Sequence, residues 1–209
     1  MQNIIIVGAS GFGREVLALI SSINKIRPEW KVLGFIDDNL NALDGFDLPY
    51  RVLGKISEWQ PTSKELYALA IASPGTKEKL VPLLKARGAE FATLIDPTAT
   101  IGDRSEIGEG VVIFSNVDIS VDCRIGNYVF MNSQDGIGHD VQIGDYCTFG
   151  PKVCISGATK MGMCVNVGAL ASTFPGTEVG ERSTIGMNSA VIRRVKPGTT
   201  VMGVPAKAV

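Results

Sequence analysis

One histidine, His139, serves a chain of 209 residues, and what else is scarce narrows the function further. No stretch approaches the ~18 consecutive apolar residues of a membrane-spanning helix. The opening "MQNIIIVGAS" has no basic flank before its apolar run and no cleavage-type segment after it. A cytoplasmic protein with no membrane partner is expected. The formal net charge is -1 and Lys/Arg runs are missing, so there is no basic field for a phosphate backbone, and nucleic acid is not an expected partner. Cysteine is sparse: Cys123, Cys147, Cys154 and Cys164 form no C-x-x-C pair, and one histidine leaves a zinc site without a ligand set. Reduced structural thiols and no metal are the expectation.

What the chain has in abundance is period. From Ile95 every sixth residue through Ile101, Ile107 and onward to Val191 is apolar except Thr173, and glycine follows ten of these positions. Four places after each stands a small or β-branched residue, beginning at Ala99 and ending at Val195, and only Asp135 departs from that second series. A short fixed period lets each unit bury its apolar side chain only against its neighbours, which is the signature of a hexapeptide parallel β-helix. Three hexapeptides make a triangular coil, so the tract predicts five to six coils stacked at roughly 4.8 Å. The isoleucines fill the prism and the glycines permit its corners. Cys123 and Cys147 fall in the small-residue series, in keeping with a structural role.

Residues 1–94 follow another pattern. "NIIIVG" reads as a buried strand, and "SGFGREVLALISSI" places Phe12, Val16, Leu19, Ile20 and Ile23 at helical spacing. "KVLGFIDD" is a second apolar strand ending in acid, which completes a β-α-β unit. "LYALAIAS" predicts a further strand, and "TKEKLVPLLKARG" a helix with Leu80, Leu83 and Leu84 inward and Gly88 at its end. The expected organisation is a Rossmann-like α/β domain over 1–94 and an all-β helix over 95–209, with the boundary near Asp96-Pro97.

Chemistry-bearing residues gather in a few places. "GASGFG", Gly8 to Gly13, joins the first strand to the first helix, where free N–H groups favour a phosphate or polar ligand edge. Ser10 stands where a dinucleotide fingerprint has its second glycine, which argues against NAD. Asp37 and Asp38 close the second strand, where an acid reaches a ribose or base, or simply forms a turn. His139 takes the third place of its hexapeptide and points out of the prism near a corner. Its neighbour segment "NSQDG", Asn132 to Gly136, is polar and contains Asp135, and local rule-breaking tends to mark functional sites. Asp135 either faces a cleft or forms a local turn. Asp140 follows the histidine, where a carboxylate raises imidazole basicity and fixes its tautomer, or serves as a turn residue. Arg193, Arg194, Lys196 and Lys207 read as a charged end cap or as partners for an anionic cofactor.

"GASGFGREV" and "GFIDD" in front, "NSQDGIGHDVQIGDY" in the middle and "VMGVPAK" at the end together resemble the nucleotide-sugar N-acetyltransferase and sialic-acid O-acetyltransferase family of hexapeptide acyltransferases. The resemblance covers essentially the whole chain. It implies a left-handed β-helix, a homotrimer, and acetyl-coenzyme A as co-substrate in the cleft between neighbouring helices. It also implies His139 as general base with Asp140 raising its basicity. Ser10, Gly11 and Phe12 with Asp37 and Asp38 would hold the nucleotide end of a sugar substrate, with Ala72 lining the same pocket and Asn132 contacting the sugar. Thr148, Ala169 and Met187 match positions that touch the coenzyme, the last two through backbone. The implied reaction is direct acetyl transfer from acetyl-CoA to the amino group of a UDP-, GDP- or dTDP-linked 4-amino sugar. O-acetylation of sialic acid or another glycan hydroxyl is the alternative, and a non-catalytic trimeric nucleotide-binding module is the second. A γ-carbonic anhydrase, also a hexapeptide fold, needs three histidines and is excluded.

Overall fold

The computed structural model describes residues 1–209. Its first part alternates strand and helix: β1 (Gln2–Val7), α1 (Gly11–Ile26), β2 (Trp30–Ile36), β3 (Val52–Gly54), β4 (Glu65–Leu69) and α2 (Pro74–Ala86). The four strands form one parallel sheet in the order β3-β2-β1-β4, the arrangement expected of βαβ units. Ile4, Ile6 and Phe35 of the sheet meet Val16, Leu19, Ile20 and Ile23 of α1 in one core, so the helical spacing read from sequence is the face that packs. Contact between α1 and the sheet is close enough to dictate residue type. A Cβ on Gly13 would stand 2.1 Å from the Gly8 carbonyl oxygen, and Gly8 itself has φ +100°.

Helix α2 corrects one expectation. Its buried face is Lys77, Val81 and Leu84, whereas Leu83 is 57% exposed. The i, i+4, i+7 stripe runs through a lysine, and an apolar pattern passes over that residue because lysine is normally a surface side chain. Gly88 does follow the helix with φ +96°, as a C-terminal glycine should.

From Leu94 onward the chain makes two-residue strands at six-residue intervals, from Leu94–Ile95 to Ala190–Val191, arranged in three parallel sheets. Each strand pairs with the one eighteen residues on, as Gly136–Ile137 does with Cys154–Ile155. The prism interior holds both sequence series, from Ile113 and Val117 through Met131, Val141, Cys147 and Phe149 to Val191 and Val195. Corners turn through residues with positive φ, among them Asp122, Gln134, Asp140 and Tyr146. The stack closes with a hairpin of Thr200–Met202 and Lys207–Ala208. Arg194 pairs with Glu178 at 3.3 Å beside this end. All four cysteines are free, and only Cys154 is exposed.

The two parts dock through one face of the prism. Phe12 at the start of α1 lies against Phe130 (ring centroids 4.3 Å) and Phe114 (6.1 Å), and aromatic pairs contribute about 0.5–1.5 kcal/mol each beyond area burial. Lys77 Nζ donates to the carbonyls of Tyr128 (2.8 Å) and Cys147 (2.9 Å). Thr148 Oγ1 donates to the Ala72 carbonyl at 2.7 Å, and Arg182 clasps Glu78 through both nitrogens at 2.7 and 2.9 Å. The loop after β4 is thereby held on the helix.

Candidate active site

His139 stands at a prism corner between the strands Gly136–Ile137 and Gln142–Ile143, and its side chain is 64% exposed. Asp140 adopts φ 59°, a conformation that aspartate tolerates better than most residues, and this turns its carboxylate back to the ring. Nδ1 and Asp140 Oδ2 are 2.7 Å apart. An ionised carboxylate only accepts, so a neutral His139 ring carries its proton on Nδ1 and presents the Nε2 lone pair. The ring lies over Gly157 of the next coil, where a Cβ would come within 2.6 Å of Nε2 and 2.8 Å of Cε1. Gly157 escaped the sequence reading, since it is one of many corner glycines and nothing local distinguishes it. Its N–H donates to no group of the chain.

Asn132 lies one prism face away, at the corner after Phe130–Met131, and is half-buried. It lines a cavity of about 420 Å3 between that corner and α1, together with Ser115, Ser133, Glu15, Ala18 and Ser22. Asp135 does not face this cleft. It is 1% exposed and lies inside the prism, where Oδ2 accepts the Asn132 N–H at 2.8 Å and Oδ1 the Val153 N–H at 2.9 Å. Burial pushes its carboxyl up to about 7. The inner series puts this position inside the prism, and two in-fold amides make an aspartate tolerable there.

The other expected residues fall in two groups. Ser10 caps α1 with its hydroxyl unused, Gly11 follows it, and both are exposed beside the C-terminal ends of β1 and β2. Asp37 accepts the N–H groups of Ala9 (2.7 Å) and Asn39 (2.8 Å), which ties the glycine loop to β2. Asp38 takes both the N–H and the hydroxyl of Ser57, and these bonds hold its carboxyl below the ordinary range. The Phe12 ring is turned into the domain junction, leaving its backbone to the loop. Ala72 is exposed on a groove of about 580 Å3 shared with Thr148, Asn166, Arg182 and Thr184. Thr148 is 7% exposed and commits its hydroxyl to Ala72. Ala169 and Met187 occupy the same corner on successive coils, and Met187 is 75% exposed. The structure brings His139, Asp140 and Gly157 together, and gathers Ser10, Gly11, Asp37 and Asp38 at the strand ends. It does not place these two groups in contact within one chain. No cluster of three or more His, Cys, Asp or Glu side chains forms in the chain, and no helix is long and apolar enough to cross a membrane.

Residues 3–84 match the PglD N-terminal domain family. A GDP-perosamine N-acetyltransferase of Escherichia coli O157:H7 is 30% identical over 151 residues, which are 70% of this chain and 66% of that protein. A UDP-N-acetylbacillosamine N-acetyltransferase of Bacillus subtilis is 30% identical over 119 residues, 55% of this chain and 52% of that one. The chain thus spans between half and two-thirds of the length of these relatives. Among solved structures, WeeI from Acinetobacter baumannii AYE superposes with TM-score 0.80 at 30% identity, covering both chains fully. PerB from Caulobacter crescentus, in complex with CoA and GDP-perosamine, superposes with TM-score 0.88 at 23% identity over 100% of this chain and 98% of its own. A Rossmann-like front domain on a left-handed parallel β-helix is the architecture of hexapeptide-repeat acyltransferases. Within that class the chain belongs to the nucleotide-sugar N-acetyltransferase and sialic-acid O-acetyltransferase family.

Proposed function

We propose that the chain is an acetyl-CoA-dependent N-acetyltransferase acting on the amino group of a nucleotide-linked amino sugar, with His139 as general base. The observation that carries this reading is the His139–Asp140 pair, which in the neutral ring directs the Nε2 lone pair to an open corner above Gly157. The amine nitrogen attacks the thioester carbonyl, forming the C–N bond, while Nε2 takes its proton, a contribution of typically 10²- to 10⁴-fold. Asp140 faces the imidazolium through Nδ1–H. The free Gly157 N–H is available to the developing oxyanion. The C–S bond then breaks, and the proton held on Nε2 goes to the departing thiolate.

Ser10 and Gly11 at the start of α1, with the Asp37 and Asp38 turns, would hold the nucleotide end, and Asn132 the sugar. Ala169 and Met187, open on one corner, would hold coenzyme A through backbone, while Thr148 supports the loop that carries Ala72. The working form is a cytoplasmic homotrimer. Small residues Gly136, Cys154, Ser172 and Ala190 run up the face beside His139, flanked by exposed Leu170, Met187, Phe174 and Ile192, which suits the approach of a second copy. The relatives' names and the coenzyme and GDP-perosamine bound to PerB support the same reading. Thiol release from acetyl-CoA is to be measured against UDP-, GDP- and dTDP-linked 4-amino sugars and free sialic acid. Turnover with an amino sugar, lost about 10²-fold or more in His139→Ala, is the expected result. Turnover with sialic acid alone would move the acceptor to a hydroxyl. No release from any acceptor would favour the non-catalytic module.

A further inference from the structure

Two inward positions depart from their own series, Asp135 from the small or β-branched one and Thr173 from the apolar one, and both are buried. The same two residues break its hydrogen-bond ladder. At the corners from Asp96 to Phe174 the first residue donates its N–H to the carbonyl of the inward residue one coil on. Ser120 donates to Ile137 (2.9 Å), Gly138 to Ile155 (2.8 Å) and Gly150 to Val167 (2.8 Å) in this way. Asn132 and Ser156 are the exceptions. The Asn132 N–H turns inward to Asp135 Oδ2 at 2.8 Å, and the Ser156 N–H to Thr173 Oγ1 at 3.0 Å. Strand pairing thins at both places: Phe130–Met131 keeps only Phe130 opposite Thr148, and Cys154–Ile155 keeps only Cys154 opposite Ser172.

Both exceptions flank His139. Asn132 opens the corner from which the chain runs through Gly136–Ile137 into the histidine. Ser156 opens the corner stacked on the histidine and is followed by Gly157, the residue beneath the imidazole. Apolar residues at 135 and 173 would restore the ladder and remove two buried polar groups. The Asp135 carboxylate in particular has only the two amides to offset its burial, with no charged group facing it. A stability cost kept on both sides of a lone histidine points to function.

We propose that Asp135 and Thr173 are positioning residues of the acetyl-transfer site. By drawing the Asn132 and Ser156 amides inward, they set the corner that presents Asn132 and the ledge at Gly157 on which His139 rests. The inference rests on the acetyltransferase reading above. Asp135→Val and Thr173→Val should lower kcat about 10- to 100-fold, as sub-ångström to ångström misplacement does, while the melting temperature stays level or rises. Thr173→Ser keeps the hydroxyl and should restore activity. Ser183→Ala, which removes an equally buried hydroxyl at a distant corner, should match the wild type. Because His139 is the only histidine, its ring signals in an NMR spectrum report the same geometry without turnover. They should move in both valine variants and stay in place in Ser183→Ala. Activity that falls only in step with stability, or valine variants with unchanged kcat and unmoved ring signals, would overturn the inference. Absence of thiol release in the wild type would instead refute the acetyltransferase reading, and the ring signals would still decide whether these residues set the corner.

Discussion

Replacing Gly157 by alanine tests the site with the smallest change that can reach it. The added methyl would sit 2.6 Å from Nε2, 2.8 Å from Cε1 and 3.1 Å from Cδ2 of His139, inside the ~3.5–4.0 Å that carbon contacts require. The imidazole must therefore swing out by about 1 Å, which strains the 2.7 Å bond from Nδ1 to Asp140 and carries Nε2 away from the attacking nitrogen. Gly157 is not among the positive-φ residues, so alanine fits its backbone and the prism should be unharmed. Misplacement on this scale costs about 10²-fold in rate. The expected result is a kcat/KM lower by about that factor with an unchanged melting temperature. In a double-mutant cycle, adding Gly157→Ala to His139→Ala should cost almost nothing further, because both changes act through one imidazole. A loss below about threefold in the single variant, or full additivity in the double, would refute the idea that the glycine exists to seat the ring.

Three further outcomes follow from the packing. The Asp135 carboxyl, near 7 in the fold against an ordinary 3.8, binds its proton more tightly folded than unfolded. Stability should therefore fall as pH rises from 4 to 7, by up to about 4 kcal/mol, and urea unfolding of Asp135→Val should lose that slope. The Lys77 amine is shifted the other way, from 10.5 down to about 7 by burial, so the unfolded chain holds its proton more tightly. Stability should rise between pH 7 and 10, and Lys77→Met should abolish the rise while destabilising by about 2 kcal/mol through the stranded Tyr128 and Cys147 carbonyls. Gly13→Ala places a methyl 2.1 Å from a backbone oxygen that has no room to move. Calorimetry should show a loss of several kcal/mol centred on the α/β domain, as for other overpacked contacts.

The β-helix was legible to the residue because its rule is local and repeated: a side chain every sixth place either enters the prism or does not. Both buried series, the free cysteines within them and the outward corner position of His139 follow from counting alone. The βαβ half was legible by periodicity, but α2 was not, because its buried stripe begins at Lys77. No apolar count can see a lysine whose ammonium is satisfied by carbonyls from a different domain. The same blindness covers every contact across the junction, including Phe12 on Phe130 and Thr148 on Ala72.

Asp135 shows where reading a pattern and reading a structure part company. Its departure from the series was visible, and so was its nearness to the only histidine. A carboxylate in a register of small or β-branched inward side chains, however, leaves two options, a shifted register with the carboxylate in solvent or a kept register with the carboxylate satisfied inside. The amides of Asn132 and Val153 decide for the second, since each offers an N–H at the distance a buried carboxylate needs. Once the register is kept, Gly136 to Asp140 must follow it, and His139 is delivered to the corner facing outward. The break in the rule therefore leaves the register of the site intact and acts on its backbone amides, which is why two valines should repair the prism and impair the chemistry.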